Sequence, residues 1–283
     1  MNFTGFLPGE KPFIKLKDKI INPKHFAFVM GIVNATPDSF FEKSRGGADY
    51  ALNLVQQGAD ILDIGAESTR PGSAYISEEE ELKRLIPVIK EIRRYSNVPI
   101  SVDTRRLNVM KAAFEQGADI LNDISALEDE PELADFCAEK SIPVILMHKR
   151  GSPVDMQKNT AYTDVCAQVS SYLESRIAFA LEKGIKSDKI IVDPGIGFSK
   201  DYDSNIALIK NCGNLCSKKY PVLMALSRKT VIREICNTDV ENSLYGSLAA
   251  NIMSVLNGAF MIRVHDVKAT VDACKVLEKL SEV

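Results

Sequence analysis

Short apolar runs alternate with longer amphipathic segments along most of this 283-residue chain. The apolar runs are rich in Val, Ile and Leu, which is typical of parallel strands buried on both faces. The segments between them repeat apolar residues with the helical period. The pattern predicts strands at 26–33, 60–64, 99–102, 119–122, 143–147, 189–192, 221–226 and 259–264. It predicts helices at 48–57, 78–95, 106–116, 131–139, 161–183, 203–212, 243–257 and 266–281.

Eight strand–helix pairs within about 250 residues are typical of a closed (β/α)8 TIM barrel, which belongs to the α/β class. The alternative is an open doubly wound sheet, which a GxGxxG fingerprint after the first strand would favour. The chain lacks that fingerprint there. We therefore predict a single (β/α)8 barrel over residues 26–283.

Residues 1–25 precede the alternating pattern. Phe13–Leu16 and Ile20–Ile21 are short apolar segments separated by Lys17–Lys19, which indicates a small β-hairpin. We predict that this N-terminal extension covers the lower end of the barrel and takes no part in chemistry.

One phrase occurs twice in the sequence, at 57–64 and at 116–124, and a looser copy occupies 257–263. Each copy ends a helix with Gly, turns within about two residues and enters an apolar strand. Repetition of this kind indicates a chain built from one supersecondary unit. Five positions after the Gly, each copy has a polar residue; these are Asp63, Asn122 and Arg263.

Composition excludes several classes of function. The net charge is −3, with both signs spread along the chain, so a general nucleic-acid or membrane-surface role has no support. No uncharged apolar stretch approaches the length of a transmembrane helix, and Met1–Lys11 lacks the features of a signal peptide. The six cysteines form no CxxC pairs, so we expect neither zinc nor disulfides and place the protein in the reducing cytoplasm.

Polar residues follow the predicted strands. The carboxyl ends of parallel strands share one rim of a barrel, where active sites form. The rim residues are Asn34, Glu67 to Arg70, Asp103, Asn122, His148, Asp193, Arg228, Lys229, Arg263 and His265. In contrast, we read Glu78–Glu81 after Ser77 only as a helix start, with acids at the positive end of the helix dipole.

The rim divides into two chemical halves. Asp103, Asn122 and Asp193 are rich in acceptors and suit a ligand edge with several N–H donors, such as an aminopyrimidine. The other half contains Asn34, Arg70, Arg263 and His265, which suit a phosphate or pyrophosphate. The Asn34 carbonyl oxygen is a candidate ligand for Mg²⁺ beside such an anion. The ligand implied is a flat nitrogen heterocycle with a phosphorylated arm.

Each rim residue also has a simpler reading. Asp103 could cap the following helix, and Asn122 could be a turn residue at a strand end. Lys229 could be a solvated cation at a helix start, and His148, which precedes Lys149 and Arg150, could be an ordinary loop residue.

Taken together, the motifs resemble those of the dihydropteroate synthases over about residues 26–281. The matching segments, in the family's order, are Met30–Phe40, Asp63–Gly72, Ser101–Thr104, Asn122–Ile124, Met147–His148, Asp193–Phe198, Ser227–Lys229 and Arg263–Val267. Departures occur at Ala66, Ala225 and Ser199, where that family often has Gly, and in a longer, more charged loop after Phe40.

The resemblance implies an enzyme that joins a dihydropterin pyrophosphate to p-aminobenzoate in folate biosynthesis. By position, Asp103, Asn122, Asp193 and Lys229 match pterin-binding residues, Asn34 the metal contact, and Arg263 with His265 the pyrophosphate site. Lys229, Arg263, His265 and Asp103 are the expected catalytic residues. The remaining substrate-binding positions are Thr69, Arg70, Pro71, Met147, Phe198 and Thr230. Thr230, at a helix start, is the position expected to bind the p-aminobenzoate carboxylate.

The resemblance also implies that pyrophosphate leaves with the help of Mg²⁺, without a protein nucleophile, and that the protein forms a homodimer. Two other hypotheses stay open on the sequence. One is a pterin-binding methyltransferase module that serves a corrinoid protein, and it would not require the intact loops at 36–40 and 68–72. The other is a non-catalytic paralogue, which would show losses at the rim.

Overall fold

The protein is described here from a computed structural model, which covers residues 13–17, 19–35, 47–68, 73–151, 156 and 159–281. Its strands, in chain order, are β1 (Ile14–Lys15), β2 (Ile20–Ile21), β3 (Phe28–Asn34), β4 (Ile61–Gly65), β5 (Ile100–Asp103), β6 (Ile120–Asp123), β7 (Val144–Met147), β8 (Ile190–Asp193), β9 (Leu223–Met224) and β10 (Met261–Val264).

Strands β3 to β10 form one parallel sheet in the order β8-β7-β6-β5-β4-β3-β10-β9. A parallel bridge between Val192 and Val222 joins β8 to the residue just before β9, and it closes the sheet into a barrel. The predicted (β/α)8 fold is therefore confirmed. The division into a 1–25 extension and a 26–283 unit stays a prediction.

The α-helices of the described residues surround the barrel. They are α1 (Ala48–Gln56), α2 (Glu78–Tyr95), α3 (Leu107–Glu115), α4 (Glu132–Lys140), α5 (Val165–Glu182), α6 (Tyr202–Lys210), α7 (Thr230–Cys236), α8 (Leu244–Leu256) and α9 (Val267–Ser281). Two differ from prediction. Helix α5 begins at Val165 rather than 161, because the Asp164 carboxylate caps it by accepting from the Ala167 N–H. Helix α7 is absent from the predicted helices, and only a helix start at Thr230 was expected, because seven residues are too few for periodicity to reveal the helix.

The barrel strands alternate between two apolar environments. Their outward residues pack against the helices, and their lower inward residues form a separate cluster inside the barrel. That inner cluster includes Phe28, Met30, Ile61, Ile120, Ile145, Ile191, Leu223 and Met261. Because side chains alternate along a strand, the residue two positions further on faces inward again. On four strands this second inward residue is polar: Asp63, Asn122, Asp193 and Arg263.

The repeated phrase has a common backbone structure. Gly58, Gly117 and Gly258 follow helices with φ of +107°, +96° and +96°. In each copy the Gly N–H bonds to the carbonyl three residues back, and the next N–H bonds to the carbonyl five residues back. These two bonds define a Schellman motif, in which glycine relieves the strain of a positive φ. Gly184 makes the same pair of bonds after α5, although the sequence around it differs from the repeat, and Ser141 and Asn237 do so after α4 and α7.

Helix α2 begins as predicted, since the Ser77 hydroxyl accepts from the Glu80 N–H at 3.2 Å. The reading of Glu78–Glu81 as nothing more than a helix start is wrong at Glu81. That side chain is buried and forms an ion pair with Arg106, whose guanidinium also donates to Glu67. The pair joins α2 to the residue before α3, and the bond to Glu67 extends the connection to the loop after β4. A buried carboxylate requires such a charged or donor partner.

The β1–β2 hairpin covers the lower end of the barrel, as predicted. Ile14 and Leu16 belong to the inner apolar cluster. The buried ammonium of Lys189 donates to the carbonyls of Lys15, Leu16 and Ser141, which fixes the hairpin to the chain before β8. None of the helices formed by the described residues has the length and apolar character needed to span a membrane.

Candidate active site

A cavity of about 560 Å³ opens at the carboxyl ends of the strands. Of the predicted site residues, Asn34, Asp103, Phe198, Lys229, Thr230, Arg263 and His265 line it. Asn122, Met147 and Asp193 are buried beneath it on β6, β7 and β8. Thr69, Arg70 and Pro71 lie outside the described residues, so their predicted positions stay predictions.

The floor of the cavity is an ion cluster centred on Asp63. The Arg263 Nε donates to the Asp63 Oδ2 at 2.5 Å, and its Nη2 donates to the Asp103 Oδ2 at 3.0 Å. The Asn122 amide nitrogen lies 3.3 and 3.2 Å from the two Asp63 oxygens. One guanidinium thus spans two carboxylates, a geometry that a planar fork of donors permits.

Three members of this cluster come from the repeated sequence, one from each of its three copies. Asp63, Asn122 and Arg263 stand at the same position of the repeat, on β4, β6 and β10. Identical turn geometry brings each strand to the same height in the barrel, and alternation points each side chain inward. The repeat therefore places three residues at one level of the barrel, and the structure shows that Asp63 contacts the other two.

Burial and charge determine the protonation of this cluster. Burial raises the pKa of Asp103 to about 7, with Arg263 opposing the rise and Asp63 adding to it. Burial by itself would lower the pKa of Arg263, but the adjacent carboxylates outweigh that effect and raise it. Arg263 is therefore a permanent cation, and Asp103 is a carboxyl group that can change charge near neutral pH.

Lys229 and Asp193 form a second charged region of the site, in which each charge affects the pKa of the other. The Asp193 Oδ1 accepts from the Gly195 N–H at 2.7 Å. The Lys229 ammonium donates to the Ile196 carbonyl and lies 4.6 Å from the centre of the Phe198 ring. Burial lowers the pKa of Lys229 to about 8, and the charge of Asp193 opposes that change. Burial likewise raises the pKa of Asp193.

The third wall follows β9 and β10. The His265 Nδ1 lies 3.0 Å from the Ser227 hydroxyl, and the His265 N–H also donates to it at 3.2 Å. Arg228 has a φ of +60° and forms a two-point ion pair with Asp266, which joins the loop after β9 to the start of α9. Arg228 therefore shapes the wall, although its side chain also lines the cavity.

The described residues at the rim include one candidate ligand for a metal ion. Among the residues that the structure describes, no group of three or more His, Cys, Asp or Glu side chains is placed to hold a metal ion. Asn34, at the end of β3, offers an amide oxygen beside the cavity. All six cysteines are free, and four of them are buried.

Several residues in this region escaped the sequence analysis. Asp63 appeared there in the repeated phrase but not among the site residues, although its inward register, two positions after Ile61, was a readable signal. Ser227, which holds His265, belongs to the matching segment Ser227–Lys229 but was not among the predicted site residues. Lys200, which is buried and lines the cavity, has no sequence signal that distinguishes it from an ordinary loop residue. His148 is buried at 2% exposure and bonds to Lys200, so it is more than a loop residue.

Comparison with known proteins shows which sequences and folds this chain resembles. The model of a family described as pterin binding enzyme matches residues 30–265. The Escherichia coli dihydropteroate synthase is 43% identical over 258 residues, which cover 88% of this chain and 90% of that protein. The Xanthomonas albilineans dihydropteroate synthase with 4-aminobenzoic acid superposes with a TM-score of 0.88 at 40% identity, covering 97% of this chain and 100% of that chain. The structure of that Xanthomonas albilineans enzyme with 7,8-dihydropteroate gives 0.85 at 37% identity, covering 96% and 100%.

Proposed function

The chain belongs to the pterin-binding enzyme family and to the dihydropteroate synthases within it, and from this premise we propose how its residues carry out the reaction. It is a transferase that joins 6-hydroxymethyl-7,8-dihydropterin pyrophosphate to p-aminobenzoate. The products are 7,8-dihydropteroate and pyrophosphate, and the step belongs to folate biosynthesis. The observation that carries the assignment is the acidic floor of the barrel, held in place by Arg263.

The pterin ring binds on that floor with its N–H edge toward the acceptors. The Asn122 amide nitrogen is bound to Asp63, so its carbonyl oxygen points to the other side, where it can accept from the ring. Asp193 uses one oxygen for the Gly195 N–H and keeps the other for the ring. Asp103 and Lys229 complete the contacts at the ring edge, because both line the cavity just above the floor.

The pyrophosphate arm points to the wall formed by Asn34, Arg263 and His265. Arg263 forms ion pairs with Asp63 and Asp103, and these pairs fix the guanidinium before substrate binds. A cation that is already oriented stabilises a developing anion without reorganisation. The Ser227 hydroxyl fixes the imidazole of His265. Arg263 and His265 therefore present donors in fixed positions to the leaving group.

The reaction is a substitution at the exocyclic CH₂ of the pterin. The C–O bond to pyrophosphate breaks and its electron pair leaves with the pyrophosphate, while conjugation with the ring stabilises the carbon. The amine nitrogen of p-aminobenzoate then forms the C–N bond and releases a proton to the departing pyrophosphate or to water. No side chain forms a covalent bond to substrate, so catalysis comes from positioning and from anion stabilisation.

p-Aminobenzoate occupies the outer part of the cavity, between Phe198, Lys229 and Thr230. Phe198 gives an aromatic face, and the aliphatic part of Lys229 lies on the same side. Thr230 is the first residue of α7, where backbone N–H groups and a hydroxyl favour a carboxylate.

The residues present fit a role for Mg²⁺ with few protein ligands. Mg²⁺ commonly takes one or two protein oxygens and completes its shell with water and substrate phosphates. Asn34 supplies one amide oxygen beside the wall that receives the pyrophosphate, which agrees with the absence of a larger ligand cluster among the described residues. When bound, the ion would neutralise charge on the leaving pyrophosphate.

Oligomeric state and location are further parts of this proposal. Helix α8 contains no charged residue, yet Tyr245 and Met253 on it are 80% and 49% exposed. An uncharged helix with exposed large apolar side chains suits an interface between subunits, and we assign a homodimer through α8. The free cysteines suit the reducing cytoplasm. Small molecules, rather than nucleic acid or membrane, are the expected partners.

The test is dihydropteroate formation from the two substrates, with Mg²⁺ and with a chelator. We expect product with Mg²⁺ and a large loss with the chelator. Folded protein that forms no product would overturn the assignment. Methyl transfer from a methylated folate to a corrinoid protein in its place would support the methyltransferase module, and pterin binding without either reaction would support the non-catalytic paralogue.

A further inference from the structure

Lys200 is a buried lysine that lines the cavity but has no role in the proposed reaction; burial lowers the pKa of its ammonium, and the charge of Asp193 opposes that change. Its side chain is 3% exposed, beneath the loop that follows β8. The ammonium nitrogen lies 3.0 Å from the His148 Nδ1, 3.0 Å from the Gly195 carbonyl oxygen and 2.8 Å from the Phe198 carbonyl oxygen. An ammonium has three donor hydrogens, and these three acceptors match them in number.

His148 belongs to a different loop, the one that follows β7. Its imidazole is buried and packs edge-on against the Tyr172 ring, with 4.9 Å between ring centres. Burial, together with the charge of Lys200, lowers the pKa of His148 to about 3, so the ring is neutral at physiological pH. A neutral ring that presents Nδ1 to an ammonium accepts there, and Lys200 thereby joins the two loops.

Two more contacts hold the loops together. The Ser199 hydroxyl donates to the Arg150 carbonyl at 2.5 Å and accepts from the Arg150 N–H at 2.9 Å. Ser199 adopts a φ of +53°, which costs a non-glycine residue free energy that these two bonds offset. Gly195, with a φ of +67°, lies so close to the His148 carbonyl that a side chain would overlap it.

The segment fixed in this way contacts Lys229 at three places. The Ile196 carbonyl accepts from the Lys229 ammonium, and the Phe198 ring lies beside it. A Cβ on Gly197 would lie 3.3 Å from the Lys229 Cδ, so the backbone there also follows the lysine stem closely. Displacement of this segment would therefore move both Phe198 and Lys229.

We propose that Lys200 is a positioning residue for the second substrate, because its ammonium fixes the Gly195–Ser199 segment that sets Phe198 and Lys229 around p-aminobenzoate. The inference depends on the proposed placement of p-aminobenzoate. The pterin shares Lys229, but its other contacts, Asp103, Asn122 and Asp193, stand on barrel strands outside that segment. Loss of Lys200 should therefore act on the two substrates unequally.

The first test is K200M, which keeps a similar length and removes the donors. We expect the KM for p-aminobenzoate to rise about tenfold, the size of one lost positioning interaction. Calorimetry with the pterin pyrophosphate alone should give a Kd within threefold of wild type. The control is K210M, an exposed lysine at the end of α6, which should match wild type in both measurements.

The second test uses His148, whose imidazole bonds to Lys200 and which is not among the described residues that line the cavity. H148Q retains an acceptor for the ammonium, whereas H148F retains a planar ring without one. We expect H148F to raise the KM for p-aminobenzoate and H148Q to restore most of the wild-type value. The comparison of H148F with H148Q tests the positioning role even if K200M does not fold.

Equal KM values for H148F and H148Q, or a folded K200M with an unchanged KM for p-aminobenzoate, would overturn the positioning role. Equal losses of affinity for both substrates would also overturn it, because they indicate a general structural effect. A wild-type enzyme that forms no dihydropteroate would instead overturn the proposed function, so the two failures are distinguishable.

Discussion

Arg263 on the last barrel strand donates to Asp63 on the second, at 2.5 Å and across 200 positions of sequence. The same guanidinium also reaches Asp103, so one side chain orders two carboxylates at the centre of the site. Such a cluster costs free energy to desolvate, and its members stabilise it only together. Its value to the enzyme is a charge pattern that exists before substrate binds.

The first prediction replaces the spanning donor. R263K keeps the charge, but an ammonium lacks the planar fork that reaches both Asp63 and Asp103. We expect kcat/KM to fall about a hundredfold, as when one oriented donor to a developing anion is lost. The free energy of unfolding should fall by about 2 kcal/mol, because one buried carboxylate loses its partner.

The matched control is R93K. Arg93 also pairs with an aspartate, Asp119, at 2.8 Å, but at the start of the strands, far from the cavity. We expect steady-state kinetics like those of wild type and a lower midpoint in urea. If R93K and R263K reduced kcat/KM equally, the special role of Arg263 would be refuted.

The second prediction concerns Asp103 and pH. Its pKa is raised from an ordinary 3.8 to about 7, mainly by burial, so between these values the folded state holds a proton that the unfolded chain has released. Its contribution to stability is therefore complete below about pH 4 and is lost as the pH rises through about 7.

D103N cannot titrate. Between pH 6 and pH 8, the free energy of unfolding should fall for the unliganded wild type by about 1 kcal/mol more than for D103N. Urea titrations of both proteins at the two pH values measure the difference. Parallel changes in the two proteins would show that Asp103 does not titrate in this range.

Much of this site follows from sequence, and the reason lies in the barrel. Asp103, Asn122, Asp193 and Arg263 each end a buried strand, so strand order and alternation suffice to place them on one rim. Asp63 obeys the same rule but was absent from the predicted site, because it belongs to the layer that holds other residues in place. Its role depends on a contact with Arg263 that no local pattern encodes.

Other features are beyond sequence for a different physical reason. Glu81 stands in a run of glutamates that resembles a solvated helix start, and only the packing of α2 beside the start of α3 buries it next to Arg106. Lys200 resembles a loop lysine until the fold of two separate loops encloses it. Burial of a charge is a tertiary property, so hydropathy does not predict it.

The third prediction is an alkaline limit on activity. Burial, opposed by Asp193, lowers the pKa of Lys229 to about 8, so the ammonium is present below that pH and lost above it. If the cation contacts the substrates, kcat/KM should fall above pH 8 by up to tenfold per pH unit. K229R stays charged, so its activity, although lower, should not fall in this way above pH 8. The same fall of kcat/KM in K229R would assign the ionisation to another group.

The fourth prediction tests the homodimer. Tyr245 and Met253 lie on the uncharged helix α8, two turns apart and exposed. Light scattering should give wild type twice the 31.2 kDa mass of the chain, and Y245E combined with M253E should give the monomer mass, because buried unpaired charges oppose association. Y95E, at an exposed tyrosine on α2, is the control and should leave the mass unchanged. A wild-type protein with the mass of one chain would contradict the proposed homodimer.

The fifth prediction separates backbone strain from close packing at two glycines. Gly184 and Gly195 have φ of +93° and +67°, so alanine is strained at both. At Gly184 the nearest neighbour of an added Cβ is the Ala138 Cβ, 3.6 Å away, whereas at Gly195 the added atom overlaps the His148 carbonyl. G184A should lower the free energy of unfolding by about 1–2 kcal/mol, the cost of a left-handed residue. G195A should lower it by about 4 kcal/mol or leave the protein insoluble, since a rigid backbone atom must also move. Similar urea midpoints for the two variants would mean that the loops after β7 and β8 separate easily, contrary to the contacts between them.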